Sequence, residues 1–354
     1  MNEESVNARV YLDHNATMPL RPEARAAMVA AMEVTGNPSS VHAEGRAARA
    51  VVERARAQVA AAIGCTPSEV IFTSGATEAA AVLAHWPGGA TVEPVAHDAL
   101  WAHHTGGDGV LAVGLGNGET GGIDDLPRQD GGLWRRRDLT GRALLIDATQ
   151  GFGRLPFSFA WSGATAAVVS AHKLGGPKGV GALILRDGTE IAPLSRGGGQ
   201  EMGRRSGTEN VIGIAGFGAA AEAAQRDLAS GAWERIAALR DLLEAAIAAA
   251  EPMTIFVGKD GPRLPNTSLM LTPGWKGETQ VMAMDLAGFA VSAGSACSSG
   301  KVRTSRVLRA LGHDEVAAGS AIRVSLGLTT TEDEVLRFAG AWCAKRRTAK
   351  GRAA

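Results

Sequence analysis

The chain has 354 residues, 45% of them hydrophobic and 20% charged, and its 36 Lys+Arg balance its 36 Asp+Glu. That is the composition of a globular protein large enough to bury more than one core, and the zero net charge excludes a global basic field for nucleic acid or an anionic membrane. No apolar run reaches the roughly 18 residues of a membrane span, the acidic start Met1-Asn2-Glu3-Glu4 has no apolar segment behind it, and Cys65, Cys297 and Cys343 lack zinc-type or redox-pair spacing. The expectation is a cytoplasmic protein with no signal segment, no structural metal and a reducing surrounding.

In chain order, Val10-Tyr11-Leu12 is a short apolar run ahead of the polar Asp13-His14-Asn15-Ala16-Thr17. Helices are predicted from about Glu23 to Glu33, with Pro22 in the first turn, and from Ala43 to Ile63, which Gly64 ends. Val70-Ile71-Phe72-Thr73 reads as a buried strand joined by Ser74-Gly75-Ala76-Thr77-Glu78 to a short alanine-rich helix. That turn is either an ordinary capping box or a phosphate site, because free N–H groups at a helix start attract anions. The next strand delivers His97, a structural residue or a flat ring to stack on a planar ligand. After strand Val110 to Leu115 comes Asn117, a turn residue or a polar contact, and then a polar surface connection from Asp124 to Asp138.

Ala143-Leu144-Leu145-Ile146-Asp147 is a strand that ends on a carboxylate, which is costly to bury without a cation or donors. A protonated pyridine nitrogen is one such partner. Val168-Val169-Ser170-Ala171-His172-Lys173 follows, with a glycine-rich loop behind it. All seven lysines of the chain lie at or after Lys173. A lysine at that place is either a solvated loop residue or an amine desolvated against a planar ligand, able to condense with an aldehyde. Arg204 and Arg205, beside Ser206 and Thr208, form a solvated segment or an anion site. Two alanine-rich helices, Val211 to Ala229 and Trp233 to Ala250, lead to a second half of shorter elements. In it Cys297 lies in the small, polar run Ala293 to Lys301, as an accessible nucleophile or an inert loop thiol.

Taken together, Gly36-Asn37-Pro38-Ser39-Ser40-Val41-His42, Thr73-Ser74-Gly75-Ala76-Thr77-Glu78, Asp147-Ala148-Thr149-Gln150, Ser170-Ala171-His172-Lys173, Arg205-Ser206-Gly207-Thr208, Gly294-Ser295-Ala296-Cys297 and Ile322-Arg323-Val324-Ser325-Leu326-Gly327 resemble, in order, the motifs of the NifS/IscS-like cysteine desulfurases. The resemblance runs from Tyr11 to about Leu328. It implies an α/β chain of the pyridoxal phosphate-dependent transferase fold type I, class V. Residues 15–239 would form a large domain with a mainly parallel, seven-stranded-type sheet between helices. Residues 1–14 and 240–345 would form a smaller α+β domain carrying the cysteine loop, and 346–354 a disordered basic tail.

Position by position, the resemblance implies that Lys173 holds pyridoxal 5'-phosphate as a Schiff base, Asp147 pairs with the pyridine nitrogen, Gln150 bonds the ring hydroxyl and His97 stacks on the ring. The phosphate would rest on Ala76 and Thr77 with Ser170 and His172, and Thr208 would reach it from the second subunit of a homodimer. Arg323, Asn117 and Asn15 would bind the substrate. Cys297 would accept sulfur from L-cysteine and pass it to an acceptor protein such as an iron–sulfur scaffold. Neighbouring readings are a selenocysteine lyase, a class V aminotransferase, or a non-catalytic sulfur-relay partner of the same fold. Two departures from the family pattern stand out: Gly118 replaces the second of two adjacent asparagines, and the segment from His97 to Asn117 is short.

Overall fold

The computed structural model describes residues 9–294 and 304–353; Cys297 lies outside them. The described residues of 1–16, 117–123 and 231–354 form one compact unit, and those of 17–116 and 124–230 form another. The chain thus changes unit at 16/17 and 230/231, against 14/15 and 239/240 expected from the sequence. Residues 117–123 join the smaller unit because Leu264 N donates to Gly121 O at 2.7 Å and Ile123 N to Pro262 O at 2.9 Å. Such backbone pairing between distant segments leaves no periodicity to read.

The larger unit is built on six strands: β1 (Val70–Thr73), β2 (Ala90–Val92), β3 (Val110–Gly114), β4 (Ala143–Asp147), β5 (Ala166–Ser170) and β6 (Gly181–Leu185), in the order β1-β6-β5-β4-β3-β2. β6 runs antiparallel to both its neighbours and the other pairs are parallel. Continuous apolar strands suit a sheet covered on both faces. On one face Phe72, Ile146, Val169 and Ile184 pack with Val52 and Val59 of α2 (Ala43–Ile63) and Phe217 of α4 (Val211–Ala229). On the other, Ile71, Leu145, Val168 and Leu183 pack with Ala79 and Ala80 of the short α3 (Ala76–Ala80). Helix α1 (Pro22–Met32) adds Ala24 to the first of these cores.

The sheet has six strands where a seven-stranded type is expected. Between β2 and β3 the chain has room only for the one-turn helix Asp98–Trp101 and a turn. That turn takes the outer hydrogen bonds of β2: Ala90 N donates to Thr105 Oγ1, Thr105 N and Gly106 N donate to Ala90 O, and Val92 N donates to His104 Nδ1, all at 3.0–3.1 Å. The polar connection also differs from expectation. Arg128–Asp130, Leu133–Arg136 and Leu139–Gly141 form a small antiparallel sheet, and Arg136 is buried beside Glu93 at 3.4 Å and Asp124 at 2.9 Å. Pairing with acids distant in sequence allows its burial.

A buried ion pair pins the loop that leads to Thr208. Arg56 Nη1 and Nη2 meet Glu201 Oε2 and Oε1 at 2.7 and 2.9 Å, and Phe72 N donates to Glu201 Oε2 at 2.8 Å. The side chains are 8% and 1% exposed. Glu201 and Met202 both hold left-handed backbone, at φ 48° and 57°, an arrangement that survives only where surrounding contacts over-determine it. Glu201→Ala would strip the buried Arg56 of its bidentate partner, leaving it only the half-exposed Glu53 at 3.2 Å and the Val70 carbonyl at 2.7 Å, and would leave Phe72 N without the acceptor it has there. Equilibrium urea unfolding is therefore expected to show a loss of about 3–5 kcal/mol, and a loss below about 1 kcal/mol, the worth of a surface pair, would refute the anchor.

In the smaller unit, β7 (Ile255–Phe256), β8 (Thr267–Leu271), β9 (Ser292–Ala293) and β10 (Ala321–Ser325) form an antiparallel sheet in the order β7-β8-β10-β9. With it are the helices α5 (Ala232–Ala250), α6 (Gly277–Leu286) and α7 (Glu332–Ala353). Trp342 of α7 is fully buried and donates through its indole N–H to Gln280 Oε1 at 3.0 Å. Residues 346–353, expected as a disordered tail, continue α7. Lys350 Nζ lies 2.5 Å from Glu251 Oε2 and Arg346 Nη2 donates to Pro273 O at 3.2 Å, giving the basic residues fixed partners.

Candidate active site

Most of the cofactor residues predicted from the sequence fall in the larger unit, at the carboxyl ends of its central strands, where open α/β sheets bind ligands. Ser170 ends β5 and pairs in register with Gly181 of β6, whose other neighbour is Thr73 of β1. A Cβ on Gly181 would lie 2.7 Å from the Gly75 Cα. Only glycine, then, lets the turn after β1 settle there. A Cβ on Gly75 would find the Ser170 Oγ at 3.8 Å, so the Ser170 hydroxyl and the start of α3, with Ala76 and Thr77, share one corner. N–H and hydroxyl donors without an opposing acid are the donor set for a phosphate. The nearby acid, Glu78, is already committed: Arg205 Nε donates to its Oε1 at 2.9 Å and Ser74 N to its Oε2 at 2.7 Å. Burial alone would raise the Glu78 carboxyl, but these two partners outweigh it and hold it below the ordinary value.

Lys173 closes a single 3₁₀ turn directly after Ser170 and is half-buried. Its carbonyl accepts from Arg154 Nη2 at 2.9 Å, while Arg154 Nη1 donates to Gln150 Oε1 at 2.5 Å. Arg154, 3% exposed, therefore ties Gln150 to the lysine turn. The sequence reading missed it, although an arginine four residues after Gln150 is a legible signal. The turn is fixed from a second side: Met18 N donates to His172 O, Arg21 N to Gly175 O and Arg21 Nε to Leu174 O. His172 Nδ1 lies 3.2 Å from Thr17 Oγ1. Burial, with the Lys173 and Lys178 cations adding to it, pulls His172 down to about 4, so at neutral pH it is an uncharged imidazole.

Asp147 ends β4 half-buried, and its Oδ1 accepts from Thr149 N at 2.9 Å. His97 is exposed and caps the helix Asp98–Trp101, its Nδ1 accepting from Ala99 N–H at 3.1 Å. In the neutral ring the proton is then on Nε2. Thr208 is exposed in the segment after Glu201.

Arg323, Asn15 and Asn117 fall in the smaller unit. Arg323 is 5% exposed on β10; its Nη1 donates to Gly118 O at 3.0 Å and its Nη2 to Asp13 Oδ1 at 2.9 Å. Asn15, expected to bind substrate, is 1% exposed, and its amide N–H groups go to Gly118 O at 3.1 Å and Thr267 Oγ1 at 2.8 Å. Its Oδ1 accepts from Asn266 Nδ2 at 3.0 Å. Its amide thereby supports the Gly118 carbonyl. Asn117 Oδ1 accepts from Glu119 N and Thr120 N, each at 2.9 Å, and so shapes the same turn. Gly118, a departure in sequence, serves through its backbone oxygen, which needs no side chain.

The aminotransferase class-V family model matches residues 10–94 and 94–338. The chain is 40% identical to a cysteine desulfurase of Frankia sp. (strain EuIK1) across 92% of this chain and 88% of that one. It is also 40% identical to a cysteine desulfurase of Cereibacter sphaeroides, across 93% and 94%. The solved structure of a NifS-like protein from Rickettsia africae ESF-5 superposes with a TM-score of 0.84 at 28% identity, covering 96% of this chain and 99% of that one.

Proposed function

This chain belongs to the aminotransferase class-V family, and on that premise we infer that it is a pyridoxal phosphate-dependent cysteine desulfurase that converts L-cysteine to L-alanine. The observation that carries this reading is the 40% identity, over nine-tenths of the chain, to enzymes of that name. The donor corner of Ala76, Thr77 and Ser170 and the fixed Lys173 turn support the cofactor. Bound pyridoxal phosphate supplies an electron sink that acidifies the Cα proton of an attached amino acid.

The chain's own groups do the rest. Lys173 Nζ would hold the cofactor, and its amine is the base that would move the Cα proton. Asp147 holds a proton on the pyridine nitrogen and Gln150 orients the ring hydroxyl. His97 would lie against the ring with its Nε2 proton available, a tautomer suited to proton transfer. His172, being neutral, adds a hydrogen-bond donor to the phosphate corner, where Ala76, Thr77 and Ser170 bind. Arg323 takes the substrate carboxylate, with Asn117 shaping its turn. The Cys297 thiolate attacks the substrate sulfur: an S–S bond forms, the C–S bond breaks, and its electron pair returns to carbon to be quenched by a proton as alanine.

The persulfide on Cys297 then passes to an acceptor protein, such as an iron–sulfur scaffold. The working unit is a homodimer in which Thr208 serves the second copy, and the compartment is the cytoplasm. The deciding experiment is cysteine-dependent alanine release by the purified holoenzyme. Equimolar alanine and sulfane sulfur are expected. Release of a keto acid instead would point to transamination and overturn the reading.

A further inference from the structure

We infer that Asp13 is the positioning residue that aims Arg323, a role that rests on the reading of Arg323 as the carboxylate-binding group. A guanidinium is planar, with its N–H donors in a rigid fork, so contacts to two of its nitrogens fix the plane. Arg323 has two such contacts, the charged one to Asp13 Oδ1 and the neutral one to Gly118 O. Its Nε is buried and has no hydrogen-bond partner among the described residues. The two Nη contacts therefore leave the edge carrying Nε–H for a ligand, and a carboxylate is the acceptor that uses an arginine edge in bidentate fashion.

Asp13 is itself held. Its Oδ2 accepts from Ser292 Oγ at 2.8 Å and its backbone oxygen from Tyr11 Oη at 3.1 Å. Ser292 stands opposite Arg323 across the β9–β10 ladder, so Asp13 bridges two residues that the ladder already holds in register. The Asp13 side chain is 17% and that of Arg323 6% exposed, which screens their attraction little. A long side chain fixed before its ligand arrives loses no rotamer freedom on binding. The Asp13 charge also opposes an incoming carboxylate. With one N–H given to Asp13 and one to Gly118 O, the guanidinium keeps its other donors, Nε–H among them, and positioning outweighs that repulsion.

The test uses holoenzyme and two non-turnover amines that differ in one group, L-alanine and ethylamine, titrated against the visible absorption of the bound cofactor. Asp13→Ala is expected to raise the alanine Kd about tenfold and to leave ethylamine within about twofold, because only alanine presents a carboxylate. Asp13→Asn, which keeps an acceptor for Nη2, recovers part of the loss. Equal weakening of both amines, no change in either, or tighter alanine binding would each overturn the role of Asp13.

Arg323→Lys separates this from the reading beneath it. If that variant keeps the preference for alanine over ethylamine, the carboxylate assignment of Arg323 is wrong and Asp13 falls with it. If it loses the preference while Asp13→Ala keeps it, only the Asp13 inference fails. Should Asp13→Ala not fold, Ser292→Ala removes just the hydroxyl that steadies Oδ2. It is expected to raise the alanine Kd about threefold with ethylamine unmoved, and an unmoved alanine Kd overturns the inference.

Discussion

Lys173→Ala is expected to abolish the visible absorption that appears when pyridoxal phosphate is added to the wild-type chain, and to lower alanine release by about 10³-fold or more. The lysine does two jobs, covalent attachment and proton transfer, and no neighbour can replace it. The next lysine in sequence, Lys178, is exposed and lies beyond the glycine-rich bend. The backbone around Lys173 is held by Arg154, Met18 and Arg21, and none of these bonds uses the lysine side chain. The variant should therefore fold and show an unchanged far-ultraviolet circular dichroism spectrum. A normal visible band in folded Lys173→Ala would remove Lys173 from the mechanism.

Cys297→Ser should do the opposite: keep the visible band and lose alanine release to background. A hydroxyl cannot attack sulfur to form a persulfide, and the reactive species is a thiolate, a few per cent of an ordinary thiol at neutral pH. The other two cysteines cannot substitute. Burial pushes the Cys65 thiol up to about 12, with Glu69 and Asp187 adding to the rise. Its thiolate fraction at neutral pH is then on the order of one part in 10⁴ or less. Burial, and after it Glu251, also raises the Cys343 thiol. Limited iodoacetamide labelling of the holoenzyme at neutral pH, read by peptide mass, should mark Cys297 first. Faster labelling of Cys65, or alanine release that survives in Cys297→Ser, would contradict the assignment.

What could be read from the sequence was whatever local pattern determines. The strands Val70–Thr73 and Ala143–Asp147 and the helix Ala43–Ile63 come from apolar runs and helical spacing bounded by Gly64 and by turn residues. Those same strand ends place Asp147, Ser170 and Lys173. What escaped was pairing between segments far apart in the chain. Arg56 looks like one more arginine on a solvated helix face, and only Glu201, brought in by the fold, makes it a buried anchor. Arg136 sits in a polar stretch and becomes buried through Glu93 and Asp124. Asn15 lies in a short polar motif, and the partners of its amide, Thr267, Asn266 and Gly118, all come from far along the chain. Gly118 reads as a defect when judged by its missing side chain, because the sequence does not show what its carbonyl accepts.

The turn at His104–Gly106, which occupies the outer hydrogen bonds of β2, bears on self-association. A sheet margin with vacant N–H and C=O groups is a template on which another molecule can add a strand. Here the margin is three residues long, and a side-chain imidazole, a hydroxyl and two amides already take Val92 N, Ala90 N and Ala90 O. That margin of the shortened sheet is thus guarded against edge-to-edge pairing by a loop that adds no further strand and so no new open margin. Deleting Thr105–Gly107 to mimic a tighter connection would reopen that margin, and the harm would be seen in turbidity at high protein concentration before it was seen in activity.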